Sequence, residues 1–326
     1  MLILISIMQL ASIATGSSFK AVDALLESFV VNHSFPGVVA LVANKSGILY
    51  ASGVGSHTYE ASAPPMSVEA THFDVASLTK VTVTTTCAML LYQWGDLKLD
   101  TLVQYYLGPS FAEGDARKSR MTVEHLLLHE AGWSPDPVPS YCEPSFACPE
   151  TLRHKPVERE LVFTCEPHAF AAVLTQRLDR EPGSEYVYSD LSMITMMYII
   201  GQIAHKRGYV ELTDILPTCA AATHGSPAVD ACFYEAFARQ RIFSKVAQRA
   251  MLGTAAGETA AAQSAARYAA PDTYMGFLLP RRLWPSAAPT WNDTTDGFPG
   301  ECGQPYRERL LQGEVTNCRA LDQRLS

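Results

Sequence analysis

A mixed α/β fold of the α+β type is what the sequence predicts, and two observations carry it. Apolar residues recur at helical spacing in several separate stretches, and two β-prone runs flank a turn-forming cluster, the pattern of an antiparallel hairpin. At 326 residues the chain suffices for one large domain or two ordinary ones. Hydrophobic residues make up 48% and charged residues 18%, a balance that supports a packed core and excludes the disordered class. Twenty-five Lys and Arg against 33 Asp and Glu leave a net charge of -8. That field repels phosphate backbones and anionic lipid, so nucleic acid is not a predicted partner.

Taken in order, Ser17 or Ser18 is placed to cap a helix whose face is Ala21, Leu25 and Phe29, widened by Val22 and Leu26 and ending near Asn32. The runs 38–43 and 48–52 are separated by Asn44-Lys45-Ser46-Gly47, which supplies turn and left-handed conformations, and they read as the hairpin. After a loop at Pro64-Pro65, the stretch 77–94 sets Val83, Cys87, Leu90, Leu91 and Trp94 on one helical face, with Gly95 as the stop. The β-branched run 81–86 argues for a strand, but the helical spacing continues beyond it and decides for helix. A short helix over 122–129 turns Val123, Leu126 and Leu127 inward and stops at Gly132. Residues 134–149, rich in proline, read as a surface excursion. Ser189 or Asp190 is placed to cap the best-defined helix, with Met193, Met197, Ile200 and Ala204 on its face; His205-Lys206-Arg207 and Gly208 suit its negative end. The Ala-rich stretch 253–270 reads as a solvent-facing helix or a flexible insert.

Residues 1–16 are mostly apolar and uncharged, too short to cross a bilayer but of signal-peptide length, without the usual basic start. Small residues Ala14 and Gly16 suit a cleavage before Ser17, and Asn32, Asn44 and Asn292 open glycan-acceptor triplets. Secretion or the secretory pathway is the favoured location and the cytoplasm the alternative; no integral membrane span is predicted. Of eight cysteines (87, 142, 148, 165, 219, 232, 302 and 318), Cys87 lies in an apolar helical stretch and reads as packed rather than bridged. Cys142, Cys148 and Cys165 lack the close paired spacings of a zinc site, which favours a disulfide over metal there.

Ser77-Leu78-Thr79-Lys80 places a hydroxyl and an amine three residues apart on one helical face. A serine is a weak nucleophile at neutral pH and needs a nearby base; a lysine serves if burial and other cations lower its pKa. At the first turn of a helix, the Ser77 N–H would also face a developing oxyanion. The plain alternative is a helix cap beside a solvated charge, as Ser17-Ser18-Phe19-Lys20 reads.

Three segments change the balance. Phe73-Asp74-Val75-Ala76-Ser77-Leu78-Thr79-Lys80, His125-Leu126-Leu127-Leu128-His129-Glu130-Ala131-Gly132-Trp133 and Pro182-Gly183-Ser184-Glu185-Tyr186-Val187-Tyr188-Ser189-Asp190 occur in that order. Together they resemble the serine β-lactamase-like family of class C β-lactamases, D-alanyl-D-alanine carboxypeptidases and related esterases. The resemblance runs over about 18–315, with looser stretches at 134–168 and 253–270. It implies one domain over 17–315, an antiparallel sheet flanked by helices, with a helical subdomain within about 81–215 carrying Tyr188. It implies that Ser77 is acylated, that Lys80 assists its deprotonation and that Tyr188 relays protons. A phenol beside an ammonium ionises more easily, so a Tyr–Lys pair holds a proton acceptor that neither supplies alone. Asp190 stands where many relatives carry asparagine, at a substrate-binding position, and the change from amide to carboxylate favours an ester-like or otherwise different substrate.

The family's third motif, Lys or His followed by a small residue and Gly, is not found. Thr223-His224-Gly225 follows the tyrosine too closely, Lys45-Ser46-Gly47 precedes the nucleophile, and both read as turns. Residues 277–280 and 310–315 look like the approach to that motif, and 316–326 resemble nothing in the family, which implies that the last sheet strands are missing. Losing one oxyanion donor costs about 2.7–4 kcal/mol, so weak or no activity is the expectation.

His125 and His129 lie four apart on one expected helical face, but the His-Glu-x-x-His order of zinc hydrolases is absent and they read as structural. No Gly-x-Ser-x-Gly or phosphate loop occurs, and the Met193 and Met197 stripe reads as core. The sequence thus points to a serine hydrolase acting through an acyl-enzyme on an ester, amide or β-lactam-like carbonyl of a small-molecule or peptide-like substrate. No metal or organic cofactor is required. The alternative is a catalytically silent relative with a binding or structural role.

Overall fold

The computed structural model describes residues 19–71, 73, 77–135, 138, 166–245, 289–292 and 310–312. Its contacts divide at Phe73 into two units. The α+β expectation holds, with an antiparallel hairpin in the first unit and helices filling the second.

In the first unit, α1 (Lys20–Val31) precedes β1 (Gly37–Asn44) and β2 (Gly47–Gly55). The strands pair antiparallel from Gly37↔Gly55 to Asn44↔Gly47, with a register shift between Val42 and Ala43. Asn44 Oδ1 accepts the Ser46 N–H at 2.7 Å, the side-chain turn that the sequence anticipates. The covered face of α1 differs from expectation by one residue: Val22, Asp23, Leu26 and Val30 are half-buried, whereas Leu25 and Phe29 are exposed. The polar anchor decides this, because the Tyr50 hydroxyl donates to Asp23 Oδ1 at 2.6 Å and the Tyr50 ring stacks on Phe19 at 4.9 Å. Phe19 stands at the N-cap with no side-chain bond, while Ser17 and Ser18 lie outside the described residues.

The second unit begins with Ser77 and a wide π-helical turn, Lys80–Thr85, that runs into α2 (Thr86–Gln93). The conflict between a β-branched run and helical spacing resolves as a helix loosened by one residue. Threonine hydroxyls bond the loosened carbonyls, Thr85 Oγ1 to Lys80 O at 2.8 Å and Thr86 Oγ1 to Val81 O at 3.1 Å. The extra residue also rotates the face that follows. Val83, Thr84, Cys87, Ala88 and Leu91 are buried and Leu90 is half-buried, while Trp94 is exposed, its ring 4.9 Å from that of Tyr209 and tilted by 59°. Cys87 is a buried free thiol, as expected, and burial pushes its pKa up.

Next come α3 (Val103–Leu107) and α4 (Val123–Leu127), the latter capped reciprocally by Thr122 and His125. This helix ends before the expected Gly132, because His129 adopts a left-handed φ of 57° just beyond its C-cap Leu128. Three helices follow, α5 (Glu166–Thr175), α6 (Asp190–Lys206) and α7 (Pro217–Thr223), of which the sequence reading isolates only α6. Of these, α6 matches the predicted start and end, yet it is buried on nearly every face rather than along one stripe. It packs against α8 (Asp230–Ala238), and a disulfide joins Cys219 of α7 to Cys232 of α8 with a Cα separation of 5.8 Å. The short strands β3 (Pro289–Asn292) and β4 (Leu310–Gln312) pair with each other. Thr223-His224-Gly225 and Lys45-Ser46-Gly47 fall at a helix end and a hairpin turn, as expected.

Lys118 is fully buried among these helices. Its ammonium donates to the end carbonyls of α5, Val173 O at 3.0 Å and Leu174 O at 2.9 Å, and lies 4.8 Å from the Phe111 ring centroid. Burial pushes its pKa down to about 8, against a smaller opposing effect of Asp115. Between about 8 and the ordinary value of 10.5 the unfolded chain therefore binds more protons than the folded one, so stability from this group rises with pH across that window. Urea midpoints of wild type minus Lys118→Met are expected to climb from pH 8 to 10; a difference that stays flat contradicts a buried, titrating amine.

Residues 1–16, the cysteines 142, 148 and 165, the stretches 139–149, 253–270 and 277–280, and the tail 316–326 lie outside the described residues. Among the described residues no helix is long and apolar enough to cross a membrane.

Candidate active site

Ser77, Lys80, Tyr188 and Asp190 converge within the second unit. Ser77 is half-buried at the first helical turn, which the Lys80 N–H closes on the Ser77 carbonyl at 3.1 Å. From that turn the Lys80 ammonium, 2% exposed, donates to Ser77 Oγ at 3.1 Å and pairs with Asp190 Oδ1 at 2.7 Å. Tyr188 is a further hydrogen-bond partner of the amine, with its ring centroid 5.2 Å from Nζ. Asp190 is the buried first residue of α6, so the best-defined helix of the sequence delivers the carboxylate, and Tyr188 lies just before its extended N-cap Ser189.

The electrostatics reverse one expectation. Burial does act to lower the Lys80 pKa, but the Asp190 charge and hydrogen bonds from Asp190 and Tyr188 outweigh it, and the net direction is upward. The shift favours the ammonium over the neutral amine here. An ammonium 3.1 Å from Ser77 Oγ and hydrogen-bonded to Tyr188 favours negative charge on an oxygen beside it. The Asp190 carboxylate, expected at a substrate-binding position, pairs here with Lys80.

Two histidines brace the tyrosine segment. The His129 ring lies 4.7 Å from the Tyr188 ring, its Nδ1 accepts the Ser189 N–H at 3.1 Å, and its carbonyl accepts the Val187 N–H at 2.8 Å. His125 Nδ1 accepts the Thr122 N–H at 3.2 Å, and the other side of its ring abuts Gly183. A Cβ at Gly183 would come within 2.9 Å of His125 Nε2, and its φ of 79° already favours glycine. The two imidazoles do not share a helical face, because His129 lies past the helix end. Sequence reasoning treated both as structural and gave His129 no link to Tyr188; its left-handed backbone leaves no mark in the pattern. No group of three or more His, Cys, Asp or Glu suited to a metal occurs among the described residues.

The sequence profile of the family described as Beta-lactamase matches residues 22–217. A protein of Escherichia coli O157:H7 carrying the name D-alanyl-D-alanine carboxypeptidase is 25% identical over 181 residues, 53% of this chain and 39% of that protein. One of the same name from Salmonella agona is 25% identical over 198 residues, 57% of this chain and 43% of that protein. The chain thus spans about two fifths of the length of these relatives. A crystal structure of a class C β-lactamase aligns with a TM-score of 0.49 at 15% identity, covering 93% of this chain and 67% of that one.

Proposed function

Because the chain belongs to the β-lactamase family, we propose that it is a serine hydrolase in which Ser77 is acylated by an ester, amide or β-lactam-like carbonyl. The observation that carries this reading is the buried Lys80 ammonium held between Ser77 Oγ at 3.1 Å and Asp190 at 2.7 Å, with Tyr188 against it. Ser77 Oγ attacks the carbonyl carbon, and its proton passes to the Tyr188 oxygen acting as the general base. Tyr188 then returns that proton to the leaving group; water, losing its own proton to the same oxygen, attacks the acyl carbon, the bond to Ser77 Oγ breaks, and Tyr188 passes the proton to Oγ, which releases the acid and regenerates both residues. Lys80 stays protonated throughout. The name shared by the two relatives makes a peptide-like amide one substrate class to try beside simple esters.

A second reading is favoured by one feature of the same site. Asp190 holds Lys80 protonated, which removes the amine as a base and suits a catalytically silent protein with a binding or structural role. A fluorophosphonate probe followed by peptide mass spectrometry separates the two. An adduct on the peptide containing Ser77, absent in Ser77→Ala, is expected for the hydrolase; folded protein that takes no label at Ser77 supports the silent reading and removes the first.

A further inference from the structure

Resting on the assignment of Tyr188 as proton carrier, we propose that His129 is a positioning residue that clamps Tyr188 at three points: its carbonyl oxygen, its ring Nδ1 and its ring face. The two hydrogen bonds catch the amides on either side of the tyrosine, Val187 N–H at 2.8 Å and Ser189 N–H at 3.1 Å. Between them the Tyr188 ring lies against the imidazole, tilted by 39° with centroids 4.7 Å apart. One residue thus fixes the backbone before the phenol, the backbone after it and the plane of the phenol itself. Tyr188 is 41% exposed, so such support adds to its contact with Lys80.

The backbone of His129 argues that the side chain is used. A residue just past a helix C-cap with φ of 57° sits where glycine or asparagine is at ease, and an imidazole there is strained. That strained conformation is what turns both the carbonyl and Nδ1 towards the tyrosine segment. An amide N–H donating to Nδ1 also fixes the tautomer, since the atom must be bare and the ring proton must lie on Nε2. His129 therefore works as a neutral acceptor, and its protonated form cannot hold Ser189.

The groups that face the ring are Lys80, Asp190, Tyr186 and Tyr188. Burial first and the Lys80 charge second depress the imidazole pKa, opposed by Asp190. The clamp then stays shut below the ordinary imidazole range and opens only in acid.

The test compares wild type, His129→Ala and His129→Asn by the rate of fluorophosphonate labelling at Ser77 across pH, with circular dichroism to check folding. Displacing a reacting group by about 1 Å can cost on the order of 100-fold in rate, so His129→Ala is expected to slow labelling by about tenfold or more at neutral pH. Asparagine places a side-chain oxygen where Nδ1 was, accepts a left-handed backbone and does not titrate. His129→Asn is therefore expected to recover most of the rate and to lack the acid-side fall that wild type shows. Labelling of folded His129→Ala at the wild-type rate, or His129→Asn no faster than His129→Ala, overturns the clamp. If wild type itself takes no label, the hydrolase reading fails while the clamp is still decided by 15N-histidine NMR: a bare Nδ1 with Nε2–H supports it, and an Nδ1–H ring sinks it.

Discussion

Gly201→Ala is expected to destabilise the protein by on the order of 3 kcal/mol or more, although alanine is the better helix former by about 1 kcal/mol. Gly201 lies in α6 where α8 begins to cross it. A Cβ there would overlap the Asp230 carbonyl oxygen, fall 2.7 Å from its carbon and 2.9 Å from Tyr234 N. These are backbone atoms, so no side chain can swing aside to make room. Both helices are buried along almost their whole length, and Cys232 of α8 is tied to Cys219, so separation of the pair disturbs packing on every side. The measurement is the urea midpoint of Gly201→Ala against wild type. Equal midpoints would show that the helices do not approach this closely.

The second large effect is expected at Asp190. Asp190→Ala removes the carboxylate paired with a buried ammonium, and breaking such a pair from one side typically costs about 3–5 kcal/mol. Asp190→Asn keeps the shape and an oxygen for Lys80 to donate to, so its cost is expected to be clearly smaller. The pH signature follows from the raised Lys80 pKa: the stability it contributes is complete below the ordinary value of 10.5 and is lost only as pH climbs through the higher folded value. Wild type should therefore exceed Asp190→Asn by a constant margin on the alkaline side of neutrality that shrinks above about pH 10.5. Chemical denaturation of both variants across pH checks this, and Asp190→Ala no less stable than Asp190→Asn would contradict a charge pair in the core.

Sequence alone revealed the parts of this fold whose signals are local. The hairpin was legible because Asn44 to Gly47 can do little except turn, and α6 because Ser189 at its N-cap position, though its side chain makes no capping bond, and a basic end bracket it. By contrast α8 escaped, since a helix buried all round shows no alternation of polar and apolar residues, and α5 follows a proline-rich stretch that masks its start. The site divides in the same way. Ser77 and Lys80 lie one turn apart and could be paired by spacing, and family resemblance added Tyr188. The Lys80–Asp190 pair joins residues far apart in the chain, so the reversal of the lysine's expected pKa depended on a contact that no spacing rule contains. The grip of His129 on Tyr188 was hidden for a related reason, because it depends on one residue leaving the helical backbone.

The wide turn at Lys80–Thr85 sets a phase relation along the first helix of the second unit. Each residue advances a helix by about 100°, so one additional residue in a turn rotates everything on one side of it relative to the other. Cys87, Ala88 and Leu91 are anchored in the core beyond the turn, and Ser77 and Lys80 are aimed at α6 before it. The loosened turn reconciles those two bearings. The chain length between the nucleophile and the core is thereby as constrained as the identity of the nucleophile: shortening it would keep the helix but swing the hydroxyl out of line with the amine's carboxylate partner.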